Sequence, residues 1–327
     1  MKKPYDLAII GHMALDTIIR VENGKRNVHG ASAGGAVTFA SLAAKTSEPS
    51  SRIGIGTKVG IDFPAELLQP FKHKGIDLAC MLVDARSPTT RFELVYEGGT
   101  RTVSCPARCS ELRFDEFPPE LWNARRFHVG SICREIGLPF MEQMGAAATS
   151  DAPVGIDLQG VLRDIHPDGR VGLVSQAEAL ATTRKIHEIF GKRLVIKGDD
   201  FECAAVSGVG DPVKCIEYFL AEFKDITVLL TLGRKGSFVG KMEAGTPVIE
   251  RIPAFKPERI VDETGAGDTY LVSFLSRLDD SSCTASTCKD AALFASAASS
   301  FLVEKERCTG LQSAAEILGR VKNGAYM

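Results

Sequence analysis

The sequence predicts an α/β protein built on a mainly parallel sheet, and three observations carry that expectation. Short β-rich runs alternate with helical patterns along most of the 327 residues. Two segments, 16–28 and 89–104, break the alternation and read as strands without intervening helices. Near the C-terminus a glycine-bearing turn joins a strand end to a helix, and in open α/β sheets ligands bind outside such carboxyl strand ends.

The β-rich runs fall at 7–10, 126–129, 154–157, 193–197 and 227–231. Helical patterns occupy 36–45, 64–74, 139–149, 211–222 and 287–303, so each β run is set off from the next by sequence able to cross over. The stretch from Arg91 to Val103 is a hairpin pattern with Glu97-Gly98-Gly99 at its turn. Phe92, Leu94 and Tyr96 alternate with Glu93, Val95 and Glu97, which leaves one face free to cover something. Such an inserted sheet reads as a lid over an active site, or else as a surface hairpin without a role.

Composition narrows the partners. Lys and Arg total 39 against 41 Asp and Glu, a net charge of 39 − 41 = −2, and no basic block appears. Nucleic acid and anionic membrane are therefore not expected partners. No apolar run reaches the length of a membrane span, and the polar residues close behind the first strand argue against an export signal. The nine cysteines are scattered, with no Cys-x-x-Cys pair and no histidine beside Cys105/Cys109 or Cys283/Cys288. Reduced thiols in a cytoplasmic protein are expected, and a structural zinc site is not.

The chemistry concentrates in residues 260–278. Ile260 and Val261 end a strand pattern, Gly265 and Gly267 bracket a turn, and Tyr270, Leu271, Phe274, Leu275 and Leu278 follow at helical spacing. A turn that opens a helix presents free N–H groups at the positive end of the dipole and so favours an anion. Asp268 in the first turn would repel that anion unless it takes a proton from the attacking group, which points to phosphoryl transfer. Acidic residues also favour first turns simply because they complement the dipole, so the local pattern leaves both readings open.

Other segments add to the first reading. Asp16 ends the run Gly11-His-Met-Ala-Leu-Asp, and its carboxylate can accept hydrogen bonds from two neighbouring hydroxyls or can cap a turn. Asp199 and Glu202 stand three apart after a strand, which puts both on one helical face where they suit Mg²⁺ or form a capping box. Gly54-Ile-Gly56-Thr-Lys-Val-Gly60 has the wrong spacing for a dinucleotide loop, and no Walker A motif occurs.

Together these motifs resemble the ribokinase/PfkB carbohydrate kinase family, over about residues 7–311. The resemblance implies a ribokinase-like doubly wound sheet in a single domain over 1–327, with a small β-sheet lid from segments about 16–30 and 88–106. It implies transfer of the γ-phosphoryl of ATP to a hydroxyl, with Gly265, Ala266 and Gly267 as the anion hole and Asp268 as base. Asp16 would bind substrate, as would the Gly34-Gly35 turn, where Phe39 stands in place of the Asn common in sugar kinases. Asp199 and Glu202 would organise Mg²⁺ and phosphate, with Glu202 acting on the metal through water. Thr231, Gly233 and Gly236 would lie beside ATP, and Ala295 would sit where the family packs adenine unless it only serves helix packing. By the same resemblance, residues 54–60 form a turn leading to Gly60-x-Asp62, and a monovalent cation site accompanies the signature turn.

Within the family, Asp157-Leu-Gln159-Gly-Val-Leu-Arg163 and the strand from Thr89 to Tyr96 look like the myo-inositol kinase branch. That likeness makes Asp157, Gln159, Arg163 and Arg91 substrate-side residues and a cyclic polyol or sugar the acceptor. A nucleoside or sugar-phosphate kinase is the nearest alternative: Phe39, Phe92 and Tyr96 could stack a base, or Arg91, Arg101, Arg108 and Arg163 could gather on a phosphate. A non-catalytic sugar or nucleotide sensor is the alternative from another class. An uncovered apolar lid face would suit a homodimer.

Overall fold

The computed structural model describes residues 3–22, 24–98, 100–149, 151–279 and 283–327. Gly99 of the expected hairpin turn and the side chain of Arg101 lie outside that set. A nine-stranded sheet forms the centre, in the spatial order Thr246–Ile252, Ser237–Glu243, Thr227–Thr231, Leu194–Asp199, Val154–Asp157, Phe127–Val129, Leu7–Ile10, Ile53–Gly60 and Met81–Asp84. Neighbours run parallel except for the two pairs that involve Ser237–Glu243.

The two-residue period of a strand explains why the sheet is covered on both sides. Ala8 and Ile10 join Ile156, Ile196 and Val228 against the helices Leu138–Ala147, Gln176–Phe190 and Pro212–Glu222. Ile9, between them, packs the other way with Val37 and Val272 of the helices Ala36–Ser47 and Ala266–Ser276. Val195 and Leu229 make the same choice, meeting Leu271, Leu275 and the helix Ala285–Leu302. Among the described residues no helix is long and apolar enough to cross a membrane.

One expectation is corrected. Residues 54–60 belong to the strand Ile53–Gly60, buried along its whole length, and not to a turn. Its glycines answer to packing: a Cβ on Gly54 would stand 2.9 Å from the Tyr5 ring, and one on Gly56 2.8 Å from Leu121.

A second, four-stranded sheet has the order Lys25–Gly34, Ala14–Glu22, Arg91–Glu97, Thr100–Ala107. Phe92 and Leu94 are buried on one face with Ala14, Ala36, Ile132 and Cys133, as their alternation with Glu93 and Val95 requires.

Buried polar groups lace the junction between the two sheets. The His12 ring bonds Thr90 Oγ1 through Nδ1 (2.9 Å) and the Ser110 carbonyl through Nε2 (3.0 Å). Glu135, wholly buried, accepts from the backbone N–H groups of His12, Ile132 and Cys133 and from the Ser131 hydroxyl. Burial alone would raise its pKa, but these donors hold the carboxyl ionised below its usual range. His12, Cys133 and Glu135 stand close enough to share a metal ion, yet the histidine and the carboxylate are already saturated by these bonds. The cluster is a structural lock. Replacing Glu135 with Ala strands several buried donors and should cost about 3–5 kcal/mol, the scale of a broken buried charge network, read from urea unfolding.

Candidate active site

The helix Ala266–Ser276 begins at Gly265, whose φ of 78° lies in the left-handed region. A side chain there would also collide with the Phe39 ring, so Phe39 packs directly beneath the turn. Asp262 fixes the approach, its two oxygens accepting from the Thr264 N–H (3.0 Å) and the Arg307 N–H (3.1 Å). On the far side, the Tyr270 and Ser237 hydroxyls share a buried hydrogen bond of 2.7 Å that ties the helix to the sheet.

Two cavities meet at this turn. The first, of 260 Å³, is roofed by Phe92, Leu94 and Val103 of the small sheet and floored by Gly265, Ala266, Gly267 and Asp268. Asp16, Gly35, Phe39, Asp157, Gln159 and Arg163 also line it, as do Lys197, Asp199 and Glu202. The second, of 300 Å³, is more apolar, with Thr231, Gly233, Gly236, Phe255, Ile260 and Tyr270 among its lining residues. Glu263, Ala266 and Gly267 border both.

The strand ends explain how charge gathers here. Lys197 and Asp157 are register partners on adjacent parallel strands, and their side chains form an ion pair of 2.9 Å at 7% and 4% exposure. Asp157 also caps the short helix Leu158–Leu162 by accepting from the Gln159 N–H (3.1 Å). One turn on, Arg163 donates to Gln159 Oε1 (2.8 Å) and to the Ile132 carbonyl (2.9 Å), and lies over the Phe92 ring at 5.3 Å. That stack joins the main body to the small sheet.

Asp199 and Glu202 form a reciprocal capping box, both bonds 2.8 Å, which engages one oxygen of each. Both carboxylates line the first cavity, and such hard oxygen donors on one helical turn fit Mg²⁺. Burial first, then Asp157 and Asp199, pushes Glu202 up to about 7 against the pull of Lys197. Asp268 is likewise pushed up to about 7, by burial and then by Asp157, while Lys197 and Arg163 oppose the rise. A carboxyl so poised at the start of a helix can exchange a proton near neutral pH.

Not every expected residue faces the cavity. Arg91 instead bonds Asp62 (2.5 Å), because the strand it begins passes beside the end of Ile53–Gly60. Gly34 acts indirectly: a Cβ there would overlap the Asp16 carboxylate, so the glycine makes room for it. Ala295 points into the core with Leu271 and Leu275, and the same helix lines the second cavity with Ser296, Ser299 and Ser300. Asp157 reaches the cavity wall but spends its oxygens on Lys197 and Gln159. Lys197 itself escaped the sequence reading, although a lysine inside Leu194-Val-Ile-Lys-Gly was a signal, since apolar strands seldom bury an unpaired ammonium.

With this geometry in view, comparison with known proteins is decisive for the class. Residues 5–314 match the pfkB family carbohydrate kinase description. The chain is 26% identical over 274 residues to a cytidine kinase of Thermococcus kodakarensis, covering 83% of this chain and 87% of the relative. Among solved structures, ribokinase from Giardia lamblia aligns with a TM-score of 0.76 at 21% identity, covering 98% of this chain and 99% of that one. A pyrophosphate-dependent myo-inositol-1 kinase converted into a myo-inositol-3 kinase aligns at 0.68 and 16% identity, over 98% and 100% of the two chains. Both of these structural likenesses describe the fold. The chain is a phosphotransferase with an alcohol group as acceptor. It belongs to the pfkB family of carbohydrate kinases.

In the unliganded protein, infrared difference titration should show a carboxyl ionising near pH 7 that disappears in Asp268→Asn. Ionisation only in the usual range near 4 would contradict the buried setting of Asp268.

Proposed function

We propose that the protein transfers the γ-phosphoryl group of ATP to a hydroxyl of a cyclic polyol or sugar, with myo-inositol as the first acceptor to test. The observation that carries this reading is the position of Asp268 at the floor of the polar cavity, beside the turn that both cavities share. The second cavity would take the nucleotide, with its base against the Phe255 and Tyr270 side and its phosphates reaching Gly267. Asp16, Gln159 and Arg163 would orient the acceptor in the first cavity.

As the acceptor oxygen attacks phosphorus, Asp268 takes its proton, and the N–H groups of Gly265 to Gly267 meet the charge on the moving group. Asp199 and Glu202 would hold Mg²⁺ through water, and the ion would supply charge neutralisation on the phosphates. The small sheet acts as a lid, and its Phe92 and Leu94 exclude water that would otherwise hydrolyse ATP.

A nucleoside acceptor is the second reading. It is favoured by the similarity to a cytidine kinase and by the apolar surfaces of Phe39 and Phe92, against which a base could lie. The carboxylates and the Gln159–Arg163 pair favour an acceptor dense in hydroxyls.

ADP release across myo-inositol, ribose, fructose, fructose 6-phosphate, adenosine, inosine and cytidine distinguishes these readings. Turnover is expected with myo-inositol, and a preference for cytidine would replace the polyol reading while keeping the chemistry. Asp268→Asn should lower kcat by ~10²–10⁴-fold, the scale of a lost general base, with ATP still bound. Because burial raises the Asp268 pKa to about 7, kcat/KM should fall as the pH drops below that value and the base becomes protonated. A rate flat from pH 5 to 8 would count against Asp268 as the base.

A further inference from the structure

Lys197 lines the acceptor cavity, yet the roles above leave it only as the partner of Asp157. Its Nζ stands 2.7 Å from the point a Cβ on Gly267 would occupy, against 3.8 Å for the Asp157 carboxylate. The ammonium therefore presses on the middle of the anion-binding turn, in space that the glycine leaves open. Asp157 holds the ammonium at 2.9 Å from the adjacent strand.

A purely structural pair explains this poorly. A buried ion pair seldom stabilises more than apolar residues of the same bulk, because desolvation offsets the attraction. This pair also opens onto a cavity walled by Asp16, Asp199, Glu202 and Asp268. A phosphoryl group entering such a wall of carboxylates needs a fixed positive charge at the point of transfer.

We propose that Lys197 is a further catalytic residue, donating a hydrogen bond from its ammonium to a non-bridging oxygen of the transferring phosphoryl group above Gly267. This rests on the kinase reading of the same site. In the step, the acceptor oxygen bonds to phosphorus and the phosphorus–oxygen bond to ADP breaks, its electron pair leaving with ADP. The acceptor proton passes to Asp268, and Lys197 keeps all of its protons throughout. Asp157 holds the ammonium in place from the adjacent strand.

The test is calorimetric binding of Mg²⁺·ADP with and without aluminium fluoride, a mimic of the planar phosphoryl group, alongside kcat. Wild type should bind the fluoride complex at least ~10²-fold tighter than ADP alone, as transition-state mimics do. Lys197→Met should lose most of that gain and ~10²–10³-fold in kcat, the scale of one lost oxyanion donor, while binding ADP alone within about threefold of wild type. Lys197→Arg, which keeps the charge, should recover part of both. Should the single variant fail to fold, Lys197→Met/Asp157→Leu removes the buried pair together and should show the same lost gain.

Retention of the fluoride gain and of kcat in Lys197→Met, or in the folded double variant, overturns the proposal. So does an equal loss of affinity for ADP with and without fluoride, the signature of a structural role. A wild type that shows neither turnover nor a fluoride gain overturns the kinase reading itself, and this proposal with it.

Discussion

The ion pair between Lys197 and Asp157 joins the fold to the chemistry. Asp157 ends its strand and Lys197 stands beside it in the parallel neighbour, so the sheet register itself brings them within 2.9 Å. Three carboxylates, Asp157, Glu202 and Asp268, act on the ammonium, and its removal would leave them repelling one another out of water. Pairing is what permits so many acids to share a small, dry space. The raised pKa values of Glu202 and Asp268, about 7 in each case, come first from burial and then from that repulsion.

The helix Ala266–Ser276 meets the cluster from the opposite side. Its dipole favours negative charge, which partly offsets the burial of Asp268 in its first turn. Gly265 and Gly267 allow two close approaches that no other residue would, one from Phe39 below and one from Lys197 above. The turn is thus held between an aromatic ring and a cation. Such preorganisation is the physical basis for stabilising charge as it develops.

The small sheet supplies the enclosure. Its contact with the main body includes apolar packing of Phe92 and Leu94 on Ala36 and Ile132, the Arg163–Phe92 stack at the cavity, and the His12–Thr90–Ser110 set. The stack joins a buried aromatic to a cation that also bonds Gln159 and the Ile132 carbonyl. The last holds His12 and Thr90 fully buried, and Glu135 anchors it through the His12 N–H. The small sheet thereby stands over the cavity that Asp268 lines.

Much of this was legible in the sequence, because local rules govern it. Alternation of β runs and helices specified the parallel sheet, and the period of Phe92, Leu94 and Tyr96 specified a one-sided second sheet. The Asp199–Glu202 capping box and the Gly265 turn are contacts within four residues, where spacing alone determines geometry. What spacing could not supply was the meeting of distant strand ends. Glycines in Ile53–Gly60 look like a turn until Tyr5 and Leu121 are seen packing on them. Arg91 looks available for substrate until Asp62 is seen beside it, and Ala295 looks like an adenine contact until its helix is rotated into place. Lys197 acquires its meaning only from Asp157, 40 residues away, and from Gly267 on the facing helix. The sequence alone pointed to the class of chemistry, because its motifs are local patterns that together carry the family resemblance, while the turn and its acid by themselves left a dipole-complementing role open. Tertiary structure decided which charges stand together, because side chains remote in the chain meet only when strand register and helix packing are fixed.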